Sequence, residues 1–122
     1  VFSDDARKVI GWLPKNTLSA AYILFPDPWP KARHTKRRLI NEQLLTELSS
    51  KMKSGAELRV ATDIGDYLRT ALLAFRQSNT FDWSATGPAD WRIRPDDWPS
   101  TRYEAKAIRE GRCCYYLRFN RY

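Results

Sequence analysis

Apolar residues at positions 6, 9, 10 and 13 recur at helical spacing, so the segment 4–13 predicts a first helix. An acidic residue stands where it caps the start and complements the helix dipole. Residues 14–17 read as a turn. The run Ala20-Ala21-Tyr22-Ile23-Leu24-Phe25 is continuously apolar and of strand length, as in a buried parallel sheet. Apolar positions 44, 45, 48 and 52 predict a second helix over 41–53, with Ser54-Gly55 as its stop. Residues 58–62 read as a short strand. A third helix is expected over 66–77, where Tyr67, Leu68, Ala71, Leu72 and Phe75 share one face. Residues 81–83 form a short strand, 87–99 an ordered loop rich in Pro, Asp and Trp, and 113–119 a last strand.

Strands alternating with helices imply an α/β fold with a mainly parallel sheet and right-handed crossovers. No glycine-rich strand-to-helix turn of the G-x-G-x-x-G kind is present, so the chain is expected to be half of a doubly wound fold. The opening Val1-Phe2 reads as the end of a strand, and the chain does not begin with Met. It is expected to be internal to a longer protein.

Composition adds three constraints. A length of 122 residues fits one domain spanning 1–122. With 43% hydrophobic, 13% aromatic and 29% charged residues, there is material for a core and disorder is excluded. Twenty-one Lys and Arg against 14 Asp and Glu give a net charge of +7, which points to an anionic partner, first of all nucleic acid. A membrane partner is disfavoured, because no apolar run approaches the roughly 20 residues of a membrane span. The adjacent Cys113 and Cys114 would project to opposite faces of a strand and are read as reduced thiols of a cytosolic protein.

The chemistry gathers in Phe25-Pro26-Asp27-Pro28-Trp29-Pro30-Lys31, directly after the apolar strand. Ligands of open parallel sheets bind at the carboxyl ends of strands. Two prolines fix the backbone on either side of Asp27 and thereby hold its carboxylate and the Trp29 indole in set positions. A rigid surface turn with a packed Trp is the plainer alternative. The run Lys31-Ala32-Arg33-His34-Thr35-Lys36-Arg37-Arg38 follows, with five cations in eight residues. Such runs are usually solvated faces, but this one leaves the same loop as the braced carboxylate, which suggests a phosphate groove beside a base pocket.

The stretch 25–39, FPDPWPKARHTKRRL, resembles the signature of the bacterial tRNA (guanine-N7)-methyltransferases. Three further pieces match in order: Asp5-Ala6-Arg7 with Trp12-Leu13-Pro14; Ala61-Thr62-Asp63 with Tyr67; and Thr101-Arg102-Tyr103-Glu104 with Gly111-Arg112 and Tyr116-Leu117-Arg118-Phe119. The resemblance implies the carboxy-terminal part of a class I S-adenosylmethionine-dependent methyltransferase fold, Rossmann-like and lacking its first βα units. It implies methyl transfer from S-adenosylmethionine to N7 of a guanine in the variable loop of tRNA, in the cytoplasm. Neither a metal nor an obligatory protein partner is implied.

Carried over residue by residue, the catalytic aspartate falls on Asp27, which also meets the cofactor. A second cofactor-binding carboxylate falls on Asp5, with Asp4 as its competitor. Substrate contacts fall on Lys31, Asp63, Thr101, Arg102, Tyr103 and Glu104, and RNA backbone contacts on Arg33, His34, Thr35, Lys36, Arg37 and Arg38. Asp63 also suits a helix N-cap, Glu104 a surface ion pair, and Asp5 a helix cap. The family's glycine-rich cofactor loop and ribose-binding acid have no counterpart here, so this polypeptide alone is expected to be inactive. Two other readings stay open: a non-catalytic basic RNA-binding module, and an amino-methyltransferase with another substrate. Trp29 and the basic run depart from the latter's motif.

Overall fold

The computed structural model describes residues 3–27, 31, 33, 38–83, 85, 87, 89–98 and 101–122, with the side chains of 3–5 and 89 left aside. Helix α1 (Ser3–Trp12) leads into strand β1 (Leu18–Leu24). Helix α2 (Glu42–Lys51) follows, then strand β2 (Met52–Thr62), helix α3 (Gly65–Ser78) and strand β3 (Phe81–Trp83). The short helix α4 (Ala89–Arg92), helix α5 (Arg102–Arg109) and strand β4 (Tyr115–Arg121) complete the order.

The four strands form one sheet in the order β1-β2-β4-β3. β1 and β2 are parallel, while β4 pairs antiparallel with both β2 and β3. Three strands therefore share a direction and β4 alone is reversed between two of them, in keeping with the α/β class and the mainly parallel sheet.

Alternation along the strands sends side chains to two covered faces. On one face Leu58 and Val60 of β2 lie beside Phe119 and Leu117 of β4, and α2 and α3 cover them with Leu45, Leu48, Tyr67, Ala71 and Phe75. Phe75 stacks on Phe119 with ring centroids 3.6 Å apart. On the other face Ala61 and Tyr116 pack with Trp98, Ala107 of α5, Cys114, Leu24 and Phe25. The loop expected over 87–99 is anchored by Trp98, which is 3% exposed and meets Tyr116 edge-on at 5.5 Å.

Four expectations change. β2 begins at Met52, directly after α2, so Ser54-Gly55 is no helix stop. The pairing jumps from Leu18↔Met52 to Ala20↔Glu57, and Gly55, at φ +79°, supplies the backbone that this irregularity needs. β1 is not buried throughout, since it pairs with β2 alone among the described strands and Ser19, Ala20 and Tyr22 are exposed. β4 starts at Tyr115, so the two cysteines precede it; Cys113 is exposed and Cys114 buried, both free thiols. Helix α5 was not expected, because only Glu104 and Ala107 are buried along it and its other positions are mostly polar. Its signal is the capping pair Thr101…Glu104, and the Thr101 hydroxyl accepts from the Glu104 amide at 3.1 Å.

Candidate functional site

Parallel pairing places the carboxyl ends of β1 and β2 side by side. The Phe25 amide donates to the Ala61 carbonyl at 2.7 Å, and Phe25 itself sits at φ +51°, which bends the chain out of the strand. Asp27, two residues on, is exposed where the chain leaves this edge. Phe25 packs against Tyr103 of α5 with ring centroids 4.9 Å apart. The Tyr103 hydroxyl donates to Asp63 Oδ2 at 3.2 Å, just beyond the end of β2. Ring and hydroxyl thus tie the exits of β1 and β2 to the first turn of α5.

Asp63 is no helix N-cap: that position is Ile64, without a side-chain cap, and its amide donates to the Thr62 hydroxyl at 3.2 Å. The Asp63 side chain is only 3% exposed, and Arg112 Nε stands 3.2 Å from its Oδ2. Glu104 forms an ion pair with Arg94, Oε1 to Nε 3.3 Å, but within the protein rather than on its surface, its side chain being 4% exposed. Its Oε2 is buried with no partner of hydrogen-bonding geometry among the described residues. A buried carboxylate oxygen without a donor is costly, and it fits the N–H group of a ligand.

Electrostatics follow from two buried acids. Burial, then the Asp63 charge, pushes the Tyr103 phenol above its usual range. Burial, then the charge of Glu104, raises the Tyr116 phenol further still. Cys114 is raised by burial first. Tyr103 and Tyr116 therefore stay protonated, and the Tyr103 hydroxyl is a donor to Asp63.

Of the residues expected at the site, Asp63, Thr101, Tyr103 and Glu104 come together at this edge, with Asp27 on the segment that Phe25 holds there. Lys31, Arg33 and Arg102 are exposed. Asp4 and Asp5 lie in α1, with side chains outside the description. Trp29, His34, Thr35, Lys36 and Arg37 lie outside the described residues.

Arg38 is a correction. It is 1% exposed and donates to Asp66 Oδ2 and Thr70 Oγ1, both at 2.7 Å, with its guanidinium over the Tyr67 ring. A guanidinium so enclosed holds the fold together and offers nothing to a phosphate.

Sequence reasoning missed the roles of Arg94, Arg112 and Tyr116. Arg112 had a usable signal, the glycine before it. Gly111 lies at φ +79° and ends α5, and the Arg112 amide donates to the Ala107 carbonyl at 2.9 Å, the long bond of a Schellman turn. A cavity of about 710 Å³ lies on the same sheet face nearer the start of β2, lined by Glu57, Trp83, Arg94, Asp96, Arg118 and Asn120. Among the described residues no cluster of three His, Cys, Asp or Glu could hold a metal, and no helix is long and apolar enough to cross a membrane.

The tRNA (guanine-N(7)-)-methyltransferase of Ruegeria sp. (strain TM1040) is 50% identical over 121 residues, covering 99% of this chain and 47% of that protein. The enzyme of the same name from Paracoccus denitrificans (strain Pd 1222) is 49% identical, with 99% and 50% covered. The chain thus spans about half the length of the curated relatives it matches. Among solved structures, the tRNA (m1A58) methyltransferase TrmI from Aquifex aeolicus aligns over 89% of this chain and 37% of its own, at 15% identity and a TM-score of 0.40. The model of a methyltransferase family, described as "Putative methyltransferase", matches residues 1–117, and the chain belongs to that family.

Proposed function

We propose that the whole protein carrying this chain transfers a methyl group from S-adenosylmethionine to N7 of a guanine in tRNA. The observation that carries this reading is the buried Glu104 Oε2, unsatisfied beside Asp63 and Tyr103, at the carboxyl ends of two parallel strands. Two fixed acceptors suit the N–H edge of a guanine. A neighbouring exposed carboxylate, Asp27, suits a ligand that carries or acquires positive charge.

The N7 lone pair of guanine projects into the major groove and needs no deprotonation. Attack in line on the methyl carbon moves the positive charge from the sulfonium to the purine. S-adenosylmethionine supplies that electrophilic methyl when bound. Asp27, with Asp5, would hold it, and Asp27 also faces the charge that develops on the ring. A carboxylate fixed in advance stabilises such a transition state without reorganising, so positioning and electrostatics replace general-base catalysis. A base paired within folded tRNA must first leave its stack. Tyr103, 43% exposed, offers a ring to receive it. The exposed Lys31 and Arg33, with Lys36 and Arg37, would hold the backbone.

The test uses the full-length protein, bulk tRNA and analysis of the methylated nucleoside. Methyl transfer to guanine N7 is expected, with Asp27→Ala lowering turnover about 100-fold and leaving tRNA affinity within about threefold. Equal losses in both would reduce Asp27 to a binding group. tRNA binding without any methyl transfer would favour the basic RNA-binding module instead.

A further inference from the structure

Arg112 touches both members of the Asp63–Tyr103 pair without itself belonging to the set of substrate contacts. Its Nε is 3.2 Å from Asp63 Oδ2, and its guanidinium carbon lies 5.6 Å from the centre of the Tyr103 ring. Its own Nε is buried, with no hydrogen bond of good geometry. The contact to Asp63 is therefore one of charge and shape. Glu110 Oε2 holds the far side of the guanidinium at 3.2 Å from Nη2, and the Schellman turn fixes the backbone. One side chain, placed by the end of α5, thus sets the carboxylate after β2 and the ring at the start of α5.

We infer that Arg112 is a positioning residue for the methyl acceptor's pocket, acting through Asp63. This rests on the proposed function. A carboxylate 97% enclosed has little water to orient or neutralise it, so its direction depends on what it touches. With Tyr103 giving one neutral hydrogen bond, Arg112 supplies the opposite charge beside Asp63 Oδ2 that keeps the carboxylate aimed. Removing the guanidinium leaves the fold's main core untouched, because Leu58, Val60, Leu117 and Phe119 lie on the opposite face of the sheet. The effect should therefore fall on the reaction. Misplacement of a substrate-holding group by about 1 Å costs on the order of 100-fold.

The experiment is a double-mutant cycle on the full-length protein, with methyl transfer to tRNA and thermal melting measured in parallel. R112Q should lower kcat/KM about 10- to 100-fold with a melting temperature near that of the parent. R112K, which keeps the charge but not the planar group, should recover part of that loss. D63N combined with R112Q should be no slower than D63N alone, since residues acting through one another are not additive. Multiplicative losses, or wild-type rates for R112Q, would overturn the inference. Should R112Q fail to fold, R112K decides: wild-type kcat/KM overturns it, and so does a loss that multiplies with that of D63N. If the unaltered protein methylates no guanine N7, the underlying reading falls, and Arg112's role in it falls too; wild-type activity with an inert Arg112 removes the inference alone.

Discussion

Arg38 and Asp66 meet at 2.7 Å across the start of α3, one side chain almost wholly enclosed and the other half exposed. Arg38 closes the basic run, and its backbone carbonyl accepts from Arg7 of α1 at 3.1 Å. Its guanidinium also reaches Thr70 one turn along α3, so a single residue ties α1, the segment before α2 and α3 together. The neighbouring Ile40 amide donates to the Tyr67 hydroxyl at 3.1 Å, and Arg38 lies over that same ring.

Arg38→Ala is therefore expected to act on stability. Hydrogen bonds to charged groups contribute about 1.5–3 kcal/mol each, and the loss here should be about 2–3 kcal/mol because Asp66 keeps Arg69 and water. Urea titration of the variant measures it. At the same time the salt dependence of tRNA binding should not move, since a buried cation releases no counterion. An unshifted midpoint together with a flatter salt slope would return Arg38 to the RNA-contacting set.

Acid should weaken the protein through two exposed carboxylates. Asp66 is held below the usual carboxylate range by hydrogen bonds from Arg38 and then Arg69, and Asp97 by its hydrogen bond from Arg59. A carboxylate lowered in the folded state contributes stability that is complete above the unfolded value of about 3.9, and that contribution disappears as pH falls through the folded value. Stability from these two groups should be level down to about pH 5 and decline below about pH 4. The variant D66N/D97N should be weaker than its parent at pH 7 yet lose less on acidification, so the two curves converge as pH falls below about 4. Parallel curves would show that the two ion pairs add nothing.

Much of this was legible in the chain, and the exceptions have physical causes. Helices α2 and α3 announced themselves because each buries one stripe, and Tyr67, Ala71 and Phe75 of α3 lie where the period placed them. The Asp63, Thr101, Tyr103 and Glu104 grouping came from resemblance to a family and not from spacing, which cannot join residues 40 apart along the chain. Arg38 misled because a run of cations does not say which one turns inward. The deciding partner, Asp66, is 28 residues away. Gly55 misled in the opposite direction: a glycine after a helix usually ends it, whereas here the buried Met52 had already begun the strand.

Helix α5 has two ends that can be tested separately. At its start the Thr101 hydroxyl accepts from the Glu104 amide, and Tyr103, between them, enters the site's edge. At its close Gly111 holds φ +79°, a conformation that L side chains rarely adopt, although nothing lies within 4 Å of where a Cβ would stand. Thr101→Ala should cost about 1 kcal/mol by leaving an amide of the first turn without its acceptor, and Thr101→Ser should restore most of it. Gly111→Ala should cost about 1–2 kcal/mol through backbone strain alone. The two differ in what they disturb. Loss of the cap frays the turn bearing Tyr103 and Glu104, whereas strain at Gly111 shifts Arg112, and through it Asp63. Chemical denaturation of each variant gives the cost, and hydrogen exchange at the Glu104 and Arg112 amides gives the place. Faster exchange at both amides in both variants would mean that α5 opens as one unit, and the separate control of its two ends would be disproved.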